Sequence, residues 1–274
     1  MMDFLTPELI ALMFAAGVLA GFVDAIAGGG GLITLPILLS VGLSPVQAIA
    51  TNKLQGSFGT FAATVNFVRK GHLDIRDWIF PIVMTFIGAA SGVLVLRSVD
   101  NTFLVNAIPF LLIAVALYFL FQRKLGEEDR HQRINRSVFA LIFGAGIGFY
   151  DGFFGPGAGS FYTLAFVSLL GFNMIRATAH TKMLNFTSNF ASLLFFILGD
   201  SLIWSVGLVM AAGQIFGGYL GSNMTMRHGT KIVRPLLVIV SILMTVKLIH
   251  ANPDHILRQL FDAAVLSFST VFFS

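Results

Sequence analysis

The chain has 274 residues, 56% of them apolar and 11% charged, with a mean hydropathy of +0.86. A water-soluble domain carries about 25% charged residues, so this composition excludes an ordinary cytosolic enzyme. Lysine and arginine (17) outnumber aspartate and glutamate (13), and cysteine is absent, which excludes disulfides, thiolate metal sites and a thiol nucleophile.

The first apolar run, 7–27, lies beside Asp3 and Glu8, where a secretory signal needs a basic start. It reads as a retained helix. Further apolar runs follow at 31–43, 46–68, 78–97, 102–121, 137–154, 158–171, 175–198, 201–223 and 231–249, with an apolar tail at 256–273. The long runs suffice to cross about 30 Å of hydrocarbon. The runs 31–43 and 158–171 are short; a helix of about 13 residues reaches only about 20 Å. Each is either a tilted or broken crossing, or one arm of a re-entrant hairpin.

If every run from 7 to 249 crosses and the N-terminus lies outside, the cytoplasmic loops hold 12 of the 17 basic residues: Arg69, Lys70, Arg76, Arg123, Lys124, Arg130, Arg133, Arg136, Arg176, Arg227, Lys231 and Arg234. Re-entrant short runs would move the 227–234 loop outside and erase the bias in the second half. Ten crossings are therefore preferred. The net charge of +4 reports topology and gives no cause to expect nucleic acid as a partner. The tail is left open between an eleventh span and an interfacial helix.

The chain repeats itself. Gly21-Phe22-Val23-Asp24-Ala25-Ile26-Ala27-Gly28-Gly29-Gly30 matches Gly148-Phe149-Tyr150-Asp151-Gly152-Phe153-Phe154-Gly155-Pro156-Gly157, with glycine and aspartate in register. Further on, Ala50-Thr51-Asn52-Lys53-Leu54 answers Ala179-His180-Thr181-Lys182-Met183, and Gly88/Gly92 answer Gly213/Gly217. An odd number of crossings per copy inserts the second copy upside down. The expected fold is an all-α polytopic membrane protein of two inverted-topology repeats, about five transmembrane segments each, with short broken helices after glycine-rich turns. Its parts are a first repeat over 1–121, a basic cytoplasmic linker over 122–136, a second repeat over 137–250 and the tail 251–274. Inverted repeats of this kind typify secondary transporters, whose substrate sits near the midplane between the copies.

The glycine turns, Gly28, Gly29, Gly30 and Gly31 in one copy and Gly155, Gly157 and Gly159 in the other, each end one helix and open a short one. Non-helical backbone is tolerated in a membrane only where protein or a water-filled cavity surrounds it. Facing helix N-termini there make a candidate anion site. Packing alone is the competing reading, and it is preferred for the isolated spacings Gly17/Gly21, Gly88/Gly92, Gly144/Gly148 and Gly217/Gly221.

Lys53 falls about eight residues, or roughly 12 Å, into a helix starting near Pro45, and Lys182 holds the matching place. Intramembrane ammonium groups usually mark a transport path, the alternative being snorkelling to an interface. The neighbouring polar residues Thr51, Asn52, Gln55, His180, Thr181, Asn185 and Asn189 can supply hydrogen bonds. Asp24 and Asp151, just before the turns, either neutralise the lysines or accept a coupling proton, a role also open to His180. No metal, nucleotide or other cofactor is called for. The nucleotide-binding loop, the metalloprotease His pair and the nucleophile elbow are all missing, so an enzyme is not expected.

The string Gly21–Pro36, followed by Ala48-Ile49-Ala50-Thr51-Asn52-Lys53-Leu54-Gln55, resembles the TauE/SafE sulfite exporter family, also called the toluene sulfonate uptake permeases. The segments Gly148–Gly159 and Thr178–Lys182 resemble its second copy. The likeness covers roughly residues 7–250. It implies a multi-pass permease of a bacterial-type cytoplasmic (inner) membrane that moves sulfite, sulfoacetate or other sulfonates, coupled to protons. The second copy departs from the first in carrying Pro156 and Ala158 for glycines and His180-Thr181 for Thr51-Asn52. A passive anion channel and a non-transporting membrane scaffold are the alternatives. Direction of transport, exact substrate and oligomeric state are not written in the sequence.

Overall fold

A computed structural model describes residues 6–121 and 131–228, and among these every regular element is helical. Helix α1 (Pro7–Ala27) opens with a Thr6 cap and Pro7 in its first turn, and closes at Gly28, whose φ of 76° is left-handed. Helix α2 (Gly31–Ser40) follows at once. Helix α3 (Pro45–Arg69) begins with a capping box between Ser44 and Gln47. Next come α4 (Ile79–Arg97), entered through a single 3₁₀ turn at Arg76–Trp78, and α5 (Asn101–Phe121).

The predicted run 137–154 is present but not uniform. It comprises α6 (Arg136–Phe139), a π-helical stretch (Ala140–Gly144) and α7 (Ala145–Phe153). One extra residue per turn there leaves the backbone imperfectly matched, and the Tyr162 hydroxyl donates to the Gly144 carbonyl at 3.2 Å. Helix α8 (Ala158–Leu169) starts after Gly157, α9 (Met174–Ile197) after an Asn173 cap, and α10 is Trp204–His228. The predicted run 231–249, the tail 251–274, and residues 122–130 of the linker lie outside the described residues.

Helices α2 and α8, with 10 and 12 residues, span only about 15 and 18 Å, roughly half the hydrocarbon thickness. They are shorter than the runs 31–43 and 158–171 because each helix stops before its apolar sequence does. Pro36 inside α2 and the left-handed Gly42 and Gly171 beyond the two helix ends delimit these elements.

Two apolar clusters organise the bundle. In one, Leu32, Leu35 and Leu38 of α2 pack with Ala48, Ile49 and Leu54 near the start of α3 and with Leu193 and Phe196 near the end of α9. In the other, Tyr162 and Phe166 of α8 pack with Phe67 at the end of α3 and with Ala177, Ala179 and Met183 near the start of α9. Helices α3 and α9 therefore run antiparallel between the clusters, while α2 and α8 extend toward opposite ends. Of the other helices, α1 packs along α10 and α4 along α7.

Glycine sets how close those pairs come. A Cβ on Gly17 would lie 2.4 Å from the Met210 carbonyl oxygen, and one on Gly217 would lie 2.0 Å from that of Val18. In the other pair a Cβ on Gly88 would lie 2.1 Å from the Ala145 oxygen and one on Gly148 would lie 2.6 Å from that of Thr85. The spacings expected to be helix contacts pack backbone against backbone, except at Gly144, where an added Cβ would first meet the Thr85 hydroxyl at 3.4 Å.

Among the described residues two helices, Pro7–Ala27 and the stretch Arg76–Arg97, are long and apolar enough to cross a membrane on their own. Helices α3 and α9 are different. Their buried faces carry amides, hydroxyls and one lysine each, which only the surrounding protein makes tolerable.

Candidate functional site

The two glycine turns meet. A Cβ on Gly28 would come within 2.3 Å of the Gly159 carbonyl carbon, and one on Gly31 would lie 3.2 Å from the Pro156 Cα. The Ser160 hydroxyl donates to the Ala27 carbonyl across the junction. The N-terminal ends of α2 and α8 are thus brought to one point between α3 and α9. Left-handed φ values of 102° at Gly155 and 85° at Gly157 make the second turn, where any side chain would be strained.

A small polar cavity opens at this junction. From the turns it is lined by Gly28, Gly30, Gly31, Gly155 and Gly157, and from the helix ends before them by Asp24 and Asp151. The central helices contribute Asn52, Gly56 and Thr60 from α3 and Asn185 and Asn189 from α9, and α10 contributes Gln214.

Both predicted lysines are fully buried beside this cavity, each paired with an aspartate of the other half of the chain. The Lys53 Nζ donates to the Asp151 carboxylate at 2.5 Å, and the other oxygen of that carboxylate accepts from the Ser188 hydroxyl. The Lys182 Nζ donates to the Asp24 carboxylate at 3.0 Å and also to the Asp24 carbonyl in the last turn of α1. A negative side chain at a helix C-terminus opposes the dipole, and the ammonium offsets both. The other Asp24 oxygen accepts from the Gly30 N–H at 3.2 Å. The pairs are not equal: the Asp151 side chain is 3% exposed and that of Asp24 14%.

An amide chain runs beside the cavity. Gln214 donates to Gln55 at 2.7 Å, Gln55 donates to Asn52 at 2.7 Å, and the Thr34 hydroxyl donates to the same Asn52 oxygen at 2.6 Å. On α9, Asn189 donates to Asn185 at 3.2 Å.

The remaining predicted residues lie elsewhere. Gly29 is in the first turn but off the cavity, Gly159 is pressed against Gly28, and Gln55 stands behind Asn52. The Thr181 hydroxyl is bonded to that of Thr163 at 3.1 Å. His180 sits toward the second apolar cluster, its ring 4.5 Å from that of Trp78 and 5.0 Å from that of Phe172, with Nδ1 bonded to the Arg176 carbonyl at 2.7 Å. Arg136 lies over Trp78 and Arg176 over Phe172, so this is a cation and aromatic cluster joining the ends of four elements, separate from the cavity.

Sequence reasoning missed Thr34, Thr60, Ser188 and Gln214. A buried amide among the glycines of α10 was a usable signal for Gln214, because such groups in apolar helices seek partners. Nothing comparable marked the hydroxyls, which in apolar helices commonly bond back to their own carbonyls, as Thr60 does to Gly56. Among the described residues no cluster of His, Asp and Glu has the makings of a metal site.

The family model for the sulfite exporter TauE/SafE matches residues 13–248. The chain is 50% identical over 245 residues to the probable membrane transporter protein YfcA of Escherichia coli K12, covering 89% of this chain and 91% of that protein. It is 49% identical to a probable membrane transporter protein of Haemophilus influenzae, covering 89% and 95% of the two chains. The probable membrane transporter protein ORF9 of a Sinorhizobium species is 47% identical, with 92% and 96% covered. No solved structure matches the chain significantly. With a matching model across most of its length and relatives this similar end to end, the chain belongs to the TauE/SafE sulfite exporter family of membrane transporters.

Proposed function

We propose that this protein is a secondary active transporter that carries small sulfur-containing anions, such as sulfite, sulfoacetate or other organosulfonates, together with protons across a bacterial-type cytoplasmic membrane. The observation that carries this reading is the crossed pairing of Lys53 with Asp151 and Lys182 with Asp24 around a cavity between two glycine turns.

At rest the two ammoniums and two carboxylates balance. An anion entering the cavity competes with an aspartate for its lysine. The displaced carboxylate, stripped of its counter-ion in a water-poor cavity, is stabilised by picking up a proton. Anion and proton then occupy the site together and the charge balance is kept, which couples their movement. The N-terminal ends of α2 and α8 and the amides of Asn52 and Asn185 add hydrogen-bond donors.

The inverted-repeat reading supplies the motion. In it, α1 to α4 correspond to 136–153, α8, α9 and α10, and one half rocks against the other around the meeting point of the turns. It is supported by the antiparallel α3 and α9, the opposed α2 and α8, and the matched glycine interfaces of α1 with α10 and α4 with α7. The anion is carried unchanged, so no catalytic step is assigned.

The test is sulfite and sulfoacetate flux into proteoliposomes under an imposed pH gradient, with internal pH recorded. Flux with a fixed proton ratio, lost in a folded Lys53→Ala/Lys182→Ala variant, is the expected result. Anion flux without proton movement would convert the reading to a channel, and no flux of either anion would remove the sulfur-anion assignment.

A further inference from the structure

Asn52 can face the cavity in two ways, offering a donor NH2 or an acceptor oxygen, and the choice decides what the cavity binds. The hydrogen-bond chain fixes it from a distance. The Gln214 side-chain oxygen lies over the backbones of Gly21 and Gly59, where a Cβ on either glycine would come within 2.8 and 2.2 Å of it. That position suits an oxygen resting on Cα–H groups. Gln214 must therefore turn its NH2 toward Gln55, whose oxygen accepts it at 2.7 Å. Gln55 then has only its NH2 left for Asn52, and the Asn52 oxygen accepts it at 2.7 Å along with the Thr34 hydroxyl at 2.6 Å. With its oxygen doubly occupied, Asn52 presents its Nδ2 group toward Gly31, 3.4 Å from where a Cβ there would stand. Asn185 does the same from α9: its oxygen takes the Asn189 amide, and its Nδ2 lies 3.1 Å from the equivalent point on Gly159.

We propose that the Gln214–Gln55–Asn52 chain sets the polarity of the cavity, making Asn52 a hydrogen-bond donor and so selecting fully deprotonated, acceptor-only oxyanions over neutral ligands that carry donors of their own. This rests on the anion reading above and deepens it. Asn52 and Asn185 are ligand-touching groups, Gln214 also borders the cavity, and Gln55 is the positioning residue that acts through Asn52. Gln55 is completely buried behind Asn52 and off the cavity, so its effect on a ligand is indirect.

The probes are methanesulfonate, which only accepts, and methanesulfonamide, its neutral analogue with a donor NH2. Their dissociation constants are measured by calorimetry for the full-length parent and Gln55→Met, each in lipid nanodiscs and checked for folding by thermal unfolding. The parent is expected to prefer methanesulfonate. In Gln55→Met, where Asn52 is free to turn, that preference falls by about tenfold or more, with methanesulfonamide binding kept or improved. Should Gln55→Met fail to fold, Gln55→Leu removes the same donor with a shorter side chain and is judged by the same ratio. An unchanged ratio, or equal weakening of both ligands, overturns the proposal. A parent that binds methanesulfonamide as well as methanesulfonate overturns it while leaving an anion site in place, whereas a parent that binds neither removes the anion reading and this inference with it.

Discussion

The ammonium of Lys53 stands 2.5 Å from the carboxylate of Asp151, 98 positions later in the chain, and both side chains are closed to solvent. The reciprocal contact of Lys182 with Asp24 spans 158 positions in the opposite sense. Each half of the molecule thus holds a charge that only the other half neutralises.

Removing one partner of a buried pair strands the other, at a cost of about 3–5 kcal/mol. Asp151→Asn is expected to lower stability by an amount in that range. Replacing both partners, as in Lys53→Met/Asp151→Leu, is expected to recover a large part of the loss. Asp24→Asn is expected to be milder, because Asp24 is partly exposed and Lys182 keeps the Asp24 carbonyl as an acceptor. Thermal unfolding in one detergent, run as a double-mutant cycle, reads all of these. Equal losses at Asp24 and Asp151 would contradict the inequality between the pairs.

The junction of the turns makes a sharper prediction. Gly28 has a φ of 76°, and its Cα lies against the backbone of Gly159 and Ser160. Gly28→Ala therefore meets both left-handed strain and a backbone clash that no side chain can relieve. It is expected to abolish folded yield or transport. Gly42→Ala is the control: its φ is 92°, but nothing stands within 4 Å of the added Cβ. There only the strain remains, about 1–2 kcal/mol, and transport is retained. Expression with size-exclusion profile, followed by flux, separates the two.

The helix break at each glycine turn and the burial of the two lysines were legible because each depends on chain-local features. Four glycines in one turn, or a lysine eight residues into an apolar helix, stand out against their surroundings. The crossing of the ion pairs was not legible. Lys53 is closer in sequence to Asp24 than to Asp151, and only the antiparallel placement of α3 and α9 brings it to the latter. The placement of His180 was not legible for a related reason. It precedes Lys182 by two positions, and on a helix that puts its side chain about 200° away, on the face turned to Trp78. The π stretch before α7 had no sequence signal, since glycine and apolar residues fit either helix type.

His180 supplies a further test. Its ring is packed against Trp78, Phe166 and Phe172 and its Nδ1 is held by the Arg176 carbonyl, so it has the surroundings of a packing residue. His180→Phe is expected to leave the pH profile of transport unchanged and to reduce thermal stability by about 0.5–1.5 kcal/mol through the lost side-chain hydrogen bond. A shifted or flattened flux profile between pH 5 and 8 would instead return His180 to the coupling pathway.

The helix interfaces give the last prediction, and it points in both directions. Gly152 of α7 faces the Ala89 carbonyl, and a Cβ there would lie 2.0 Å from its oxygen. Gly152→Ala must push α4 away from α7, which also carries Asp151, and so disturbs packing and the Lys53 contact together. Gly146, a turn and a half earlier in the same helix, has nothing within 4 Å of an added Cβ. Gly146→Ala exchanges a poor helix former for the best one and is expected to stabilise the protein by about 0.5–1 kcal/mol. Unfolding of the two variants under one set of conditions tests whether close approach, and not glycine content as such, decides stability here. Stabilisation by Gly152→Ala would mean that α4 and α7 are not packed backbone to backbone.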